Sequence, residues 1–191
     1  MSPDAPDPPL GPRLRELRRR RGLSIKAAAE QAGVSPSFLS LVERSQSDLA
    51  MSRLMRLLTL YGASLIDLVD ATDAPTSDVI RGGEEIHVTS HGERIDAYML
   101  VADPDRVLVP MIWVYEPGAS MGEAHPQPAD HFSYVIEGSV LVELDDERYE
   151  LTAGDTVYVR AGRRFRVRNT SERVARLLGC GHPVAPRQQK T

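Results

Sequence analysis

The chain has 191 residues, 41% hydrophobic and 26% charged, a balance that excludes a wholly disordered polypeptide and allows one large domain or two small ones. No apolar run reaches the about 18 residues of a membrane span, residues 1–12 carry no apolar core of the signal-peptide kind, and the single cysteine, Cys180, excludes an intrachain disulfide framework or a cysteine-based zinc finger, so a cytoplasmic protein is expected. The net charge of −4 is uneven: residues 10–70 hold 10 Lys/Arg against 6 Asp/Glu, whereas residues 71–191 hold 13 against 19. A basic third beside an acidic remainder suits a protein of which one part meets a polyanion, with ordinary scatter as the plain alternative.

Residues 1–11 are rich in proline (Pro3, Pro6, Pro8, Pro9) and read as a disordered or extended arm. Leu14, Leu17 and Arg21 share one face of a first helix over about 13–21, ended by Gly22. Ser24 caps a second helix carrying Ile25, Ala28, Ala29 and Ala32, which Gly33 closes. Ser35 caps a third, with Pro36 at its first position, where no N–H is missed, running to about Arg44 with Phe38, Leu39 and Val42 apolar. A fourth spans Ser52 to Tyr61 and stops at Gly62. Ser64 caps a short fifth to about Val69. The helical domain thus covers 12–70, and a polar linker follows at 71–80.

From about 80 the period changes. Short Val/Ile/Tyr/Leu-rich runs recur at 85–89, 94–101, 107–115, 132–136, 139–144, 148–151, 156–159, 164–168 and 174–179, separated by Gly, Pro and Asp. That spacing predicts an all-β sandwich or barrel over 81–185, with a tail at 186–191. Asn169-Thr170-Ser171 matches a glycosylation pattern but reads as chance without a secretory signal. His87, His91, His182 and Cys180 have no evident partners and are read as structural.

Three helices in about 30 residues, with a Gly-containing turn between the second and third, make a helix-turn-helix. The third helix would present Ser35, Pro36, Ser37 and Ser40 to base edges, with Phe38 and Leu41 nearby, while Lys26 and Arg44 hold phosphates. Each has a structural alternative: Ser35 as a cap, Phe38 as core, Arg18–Arg21 as a solvated helix end. The run Arg13-Leu14-Arg15-Glu16-Leu17-Arg18, with Leu23-Ser24, Ala28, Ala32-Gly33-Val34-Ser35, Leu39-Ser40 and Glu43-Arg44, resembles the XRE (Cro/phage-repressor) family over nearly all of 10–70. That family usually carries Gln where Lys26 stands, so Lys26 suits a phosphate contact better than a base contact.

Pro117-Gly118, His125-Pro126-Gln127 and His131 through Gly138 resemble the first cupin motif, and Gly154 through Val159, Gly162, Phe165 and Asn169 resemble the second. The resemblance implies a double-stranded β-helix (jelly-roll) barrel. The positions at which cupins usually hold a metal through His, His, Glu and His carry His125, Gln127, His131 and Phe165 here. Two are lost outright, while His131 could still ligate in place of Glu. Glu123 or Asp130 could add a carboxylate, though Asp130 should point to the opposite strand face from His131. A divalent metal on His125, His131 and Gln127 stays open beside the adopted reading, no confident cofactor and two histidines lining a pocket.

Strand alternation puts Ser133 and Val135 on the face of His131, and Phe165 and Val167 on the pocket side of their own strand. Trp113 is placed in the same pocket. Arg164, Arg166 and Arg168 should face solvent or a subunit. Arg163, in a turn, could pair with an anionic effector at the pocket mouth. The effector is expected to be small, with hydrogen-bonding or acidic groups, and His125 and His131 could sense protonation.

The order of helical reader, linker and barrel is that of XRE regulators with a C-terminal cupin sensor. The resemblance implies a homodimeric transcription factor, not an enzyme, that binds palindromic double-stranded DNA, takes a small effector and makes no membrane contact. Two alternatives stay open: a mononuclear metal-dependent cupin enzyme of epoxidase or oxygenase type, and a cupin that only dimerises the DNA-binding domain.

Overall fold

Local capping chemistry sets the helical half. In the computed structural model, which describes residues 10–63, 65–68, 79–90, 94–101 and 108–181, the Ser24 hydroxyl accepts the Ala27 N–H at 3.1 Å and opens α2 (Ile25–Ala32). Gly33, at φ +69°, closes α2 in the left-handed region that a glycine adopts without strain. The Ser35 hydroxyl accepts the Phe38 N–H and opens α3 (Pro36–Glu43), with Pro36 in the first turn. The first helix, α1 (Leu10–Arg20), starts earlier than the pattern of apolar residues suggests. Leu10 and Gly11 belong to it rather than to the arm, and Pro12 falls in its first turn, where no intrahelical N–H is lost. Gly11 is there for proximity: a Cβ on it would stand 2.4 Å from the Val42 carbonyl oxygen of α3.

The fourth helix, α4 (Met51–Tyr61), begins without a side-chain cap and ends at Gly62. The expected fifth helix is described as a single 3-10 turn, Leu65–Leu68, so the described residues of this domain hold four α-helices rather than five. Residues 1–9, Ser64, Val69, residues 71–78, His91 and His182 with the tail lie outside the described residues. Leu14, Leu39, Leu54, Leu57 and Leu58 form the helical core, and Ala28, Ala29 and Ala32 keep α2 close to it.

Arg18 and Glu43 are buried in this core, at 6% and 4% exposure. Arg18 Nε and Nη2 donate to the two Glu43 carboxylate oxygens at 2.6 and 2.9 Å, and Nη1 donates to the Leu23 carbonyl at 2.7 Å. The guanidinium thus ties α1 to the end of α3 and to the α1–α2 turn. Arg18 is therefore neither a phosphate contact nor part of a solvated helix end.

Ten strands follow: β1 (Ile86–Ser90), β2 (Ile95–Met99), β3 (Val109–Tyr115), β4 (His125–Pro126), β5 (His131–Glu137), β6 (Ser139–Leu144), β7 (Glu147–Thr152), β8 (Thr156–Val159), β9 (Arg164–Arg168) and β10 (Ala175–Gly181). Nine were expected; the two-residue β4 is the addition. They form a six-stranded sheet in the order β1-β2-β3-β10-β5-β8 and a four-stranded sheet in the order β4-β9-β6-β7, all pairs antiparallel. Two sheets with these crossovers make the expected jelly roll. Val88, Ala97, Val135, Val142, Val167 and Leu177 fill the space between them.

Two residues fix the turns. Gly138 sits at φ +77° between β5 and β6, and a Cβ there would meet the Val174 carbonyl oxygen at 2.5 Å. Asn169 is 1% exposed. Its Nδ2 donates to the Tyr115 and Arg173 carbonyls, and its Oδ1 accepts from the Ser171 N–H and hydroxyl. An amide so engaged cannot carry a glycan, so the Asn-Thr-Ser match has a structural use instead.

Candidate DNA interface and barrel cavity

The α2–turn–α3 unit presents a polar, partly basic face. Ser35, Pro36, Ser37, Lys26 and Arg44 are exposed, and Ser40 is half-buried. The Ser35 Oγ is engaged as the cap and lies 3.1 Å from the Ser37 Oγ, so its role is to hold the start of the helix and orient Ser37. Phe38 is half-buried and packs against the core, with one side of its ring facing Arg53. Leu41, at 37% exposure, stands further along α3.

Two basic residues of α4 belong to this unit and were not anticipated. The Arg53 guanidinium carbon lies 5.4 Å from the Phe38 ring centroid, in cation–π range. Arg56 Nη1 donates to the Ala32 carbonyl at the end of α2, at 3.3 Å. Their i, i+3 spacing on the polar stripe of α4 was a usable signal.

The barrel holds a partly open cavity of about 160 Å³. Met111, Trp113, Tyr115, Met121, Phe165 and Leu177 form much of its wall, and His125, Gln127, His131, Ser133 and Asp130 bring the polar groups. Two glycines of β10 make room: a Cβ on Gly179 would stand 3.0 Å from Trp113 Nε1, and one on Gly181 would stand 3.0 Å from His131 Cβ. Six of the eight residues expected in the pocket are thus brought together.

Val135 and Arg163 are not among them. Val135 does face inward, but it is wholly buried in the packed layer. Arg163 donates from Nε to Asp145 Oδ2 at 2.6 Å and lies 3.9 Å from Glu147, so the β6–β7 turn holds it away from the cavity. Without it, no lysine or arginine among the described residues lines the wall. Acidic groups on the expected effector would thus meet no lysine or arginine among these lining residues, while its hydrogen-bonding groups would meet His125, His131, Gln127 and Ser133. Of the outward arginines, Arg166 pairs with Glu143 and donates to the Gly122 carbonyl, and Arg164 donates to the Ala124 carbonyl, so both brace the sheet edge. His87 bonds Asp96 at 3.0 Å and stacks on Tyr98.

The His131 ring meets Phe165 edge-on, centroids 5.1 Å apart. Burial pushes its pKa below the ordinary histidine value, partly opposed by a hydrogen bond with the Ala129 backbone and by the charge of Asp130. Asp130 Oδ2 accepts the Tyr158 hydroxyl at 2.6 Å and Oδ1 accepts the Ala161 N–H at 2.8 Å, which hold its pKa below the usual carboxylate range. His125 Nδ1 lies 3.3 Å from the Glu123 carbonyl, and Gln127 Nε2 donates to the His125 carbonyl at 3.2 Å.

This donor set does not fit a catalytic divalent metal. It offers two imidazoles, one neutral amide oxygen and a phenyl ring at the fourth position. Among the described residues no three His, Cys, Asp or Glu side chains converge on one point.

Comparison with known proteins assigns the two halves separately. A family model described as a helix-turn-helix domain matches residues 9–71, and one described as a cupin domain matches residues 111–179. The chain is 29% identical over 176 residues to the HTH-type transcriptional regulator PuuR of Escherichia coli (strain K12), covering 91% of this chain and 95% of that one. The crystal structure of an HTH_3 family transcriptional regulator from Vibrio cholerae matches with a TM-score of 0.68 at 19% identity, covering 94% and 97% of the two chains, which shows the shared fold. An RmlC-like cupin from Shewanella frigidimarina NCIMB 400 matches with a TM-score of 0.50 at 22% identity, over 61% of this chain and 97% of that one. No helix among the described residues is long and apolar enough to cross a membrane.

Proposed function

Because the chain belongs to the DNA-binding helix-turn-helix regulators that carry a C-terminal cupin domain, we propose that it controls transcription in the cytoplasm as a homodimer on a two-fold-symmetric operator, and that its barrel takes a small effector that alters operator binding. The observation that carries the reading is the joint presence of an exposed recognition-helix start, Ser35 to Ser37, and a largely apolar cavity in the same chain.

On the DNA side, Ser37 and Ser40 meet base edges, Lys26 and Arg44 neutralise phosphates, and Arg53 backs Phe38. One such helix covers only a few base pairs, so a pair of units about one helical turn apart gives a usable site. The outer face of the six-stranded sheet supports pairing with a second copy. There the strand register aligns Tyr98, Ile112, Leu178 and Tyr134 across four strands, and Tyr134 and Ile136 are 40% and 45% exposed.

On the effector side, the wall suits a molecule buried mainly by apolar contact, with Ser133, His125 and His131 offering hydrogen bonds at one edge. Selection of bound sequences from a random duplex library by the full chain, followed by sedimentation of the complex, tests the reading. The expected result is an inverted repeat bound by two chains. An asymmetric half-site bound with full affinity by one chain refutes the homodimer, and no enrichment refutes the regulator.

A further inference from the structure

Helix α4 belongs to both halves of the molecule. Its Met55, with Leu65 of the following 3-10 turn, lines the same cavity as Trp113, His125 and His131. The cavity is therefore closed partly by the DNA-binding domain. One turn earlier on α4, Ser52 packs on the barrel: a Cβ on Gly122, which sits at φ +75°, would stand 3.0 Å from Ser52 Cβ. The Gly122 carbonyl is in turn held by Arg166 Nη1 at 3.0 Å, and Arg166 is paired with Glu143 of β6, so this contact is anchored in the sheet. The neighbouring stripe of α4 holds the reader, with Arg53 over the Phe38 ring of α3 and Arg56 on the Ala32 carbonyl before the turn.

The lining also limits what can enter. Among the described residues it contains no lysine or arginine, so an anion would lose its hydration without meeting a fixed cation there. An apolar cavity of about 150 Å³ takes a molecule such as benzene, close to the volume present here.

We propose that α4 is the lever between the two domains: a neutral, largely apolar molecule of about one aromatic ring seats against Met55 and Leu65, and its occupancy reaches α3 through Arg53 and Arg56. The proposal rests on the reading of the cavity as an effector site, and it adds the ligand class and the route of coupling. No contiguous wire of polar groups is required. The ligand need only favour one of two seatings of α4 against the Met121–Gly122 segment.

Trp113 is the only tryptophan and it lines the cavity, so its fluorescence reports occupancy. The full chain is titrated with 4-iodophenol, a neutral ring whose iodine quenches indole, and with 4-iodobenzoate as the anionic counterpart. Amide hydrogen exchange over α3 and α4 is then followed at saturation. Saturable quenching by the phenol and not by the benzoate is expected, together with a change of about fivefold or more in exchange at α4 and the first turn of α3. Met55→Ala is expected to weaken the quenching and, once saturated, to lose the exchange change, while Met55→Leu keeps both. If Met55→Ala does not fold, Met55→Gln serves in its place.

Quenching without any change at α3, or a change that survives removal of Met55, overturns the lever and leaves the cavity reading standing. Absence of saturable quenching, or equal quenching by the benzoate, overturns the ligand class and the proposal with it.

Discussion

The buried pair between Arg18 and Glu43 offers a quantitative test of what holds the recognition helix. Their side chains are 7% and 3% exposed, and the guanidinium satisfies both carboxylate oxygens and the Leu23 carbonyl at once. Glu43→Leu removes two charge-assisted bonds and leaves an uncompensated cation in the core, a change that costs about 3–5 kcal/mol. A helical domain of this size shifts its melting temperature by about 4–8 °C per kcal/mol, so a fall of at least about 12 °C is expected. Arg18→Met should cost a comparable amount, because it leaves the Glu43 carboxylate and the Leu23 carbonyl without their donor.

The double variant Arg18→Met/Glu43→Leu removes both charges together, and it should recover at least half of either loss. Arg18→Lys should not rescue, since an ammonium cannot reproduce the three-way fork. The assay is thermal and urea unfolding of the full chain followed by helical ellipticity at 222 nm, a signal that comes mainly from this domain. A loss below about 1 kcal/mol for Glu43→Leu would mean that the pair behaves as a solvated surface bridge, and the argument from burial would be wrong.

Three further outcomes are expected. Gly138→Ala should cost more than about 2 kcal/mol in urea unfolding, because it combines a left-handed backbone at φ +77° with a Cβ 2.5 Å from the Val174 carbonyl. His131, with its folded pKa below that of the unfolded chain, binds a proton more readily when unfolded. Its contribution is therefore complete above the ordinary histidine value and is lost as pH falls below about 6.5, so His131→Gln should flatten the urea midpoint between pH 7 and 5, and an unchanged slope would contradict the burial argument. Lys26→Ala and Arg44→Ala should each lower the salt dependence of operator affinity by about one charge, whereas Ser37→Ala and Ser40→Ala should change base preference at an unchanged slope, as read by fluorescence anisotropy across salt concentrations.

What could be read from the sequence was what depends on neighbours along the chain. The Ser24 and Ser35 caps, Pro36 in the first turn and the closing glycines at 33 and 62 are local devices, and the structure uses each as expected. Strand alternation likewise put His131, Ser133 and Phe165 on one interior. It could not say how deep that interior is open, so Val135 shares the inward face yet lies in the packed layer.

The misses involve partners far apart in the chain. Arg18 looked like one of four basic residues in a row until Glu43, 25 positions on, neutralised it. Arg163 looked free to meet an anion until the β6–β7 turn brought Asp145 to it. The apolar share of the cavity was hidden for the same reason: the motif residues mark its polar edge, while Met111, Met121 and the helical-domain residues Met55 and Leu65 come from elements that no motif names. The fourth strand is two residues long and contains a proline, too short for any periodic signal.

Gly179 and Gly181 have a consequence for how such a protein diverges. The free space beside Trp113 and His131 is set by two side chains that are missing, not by any group that touches a ligand. A single-base change that adds one methyl at either position would crowd Trp113 or His131 and alter which molecules are small enough to enter, while the side chains of Lys26, Ser37 and Arg44 on the helical domain stay as they are. On the regulator reading proposed above, a duplicated copy can acquire a new input through β10 while the Ser35–Ser37 surface that meets DNA keeps its old targets.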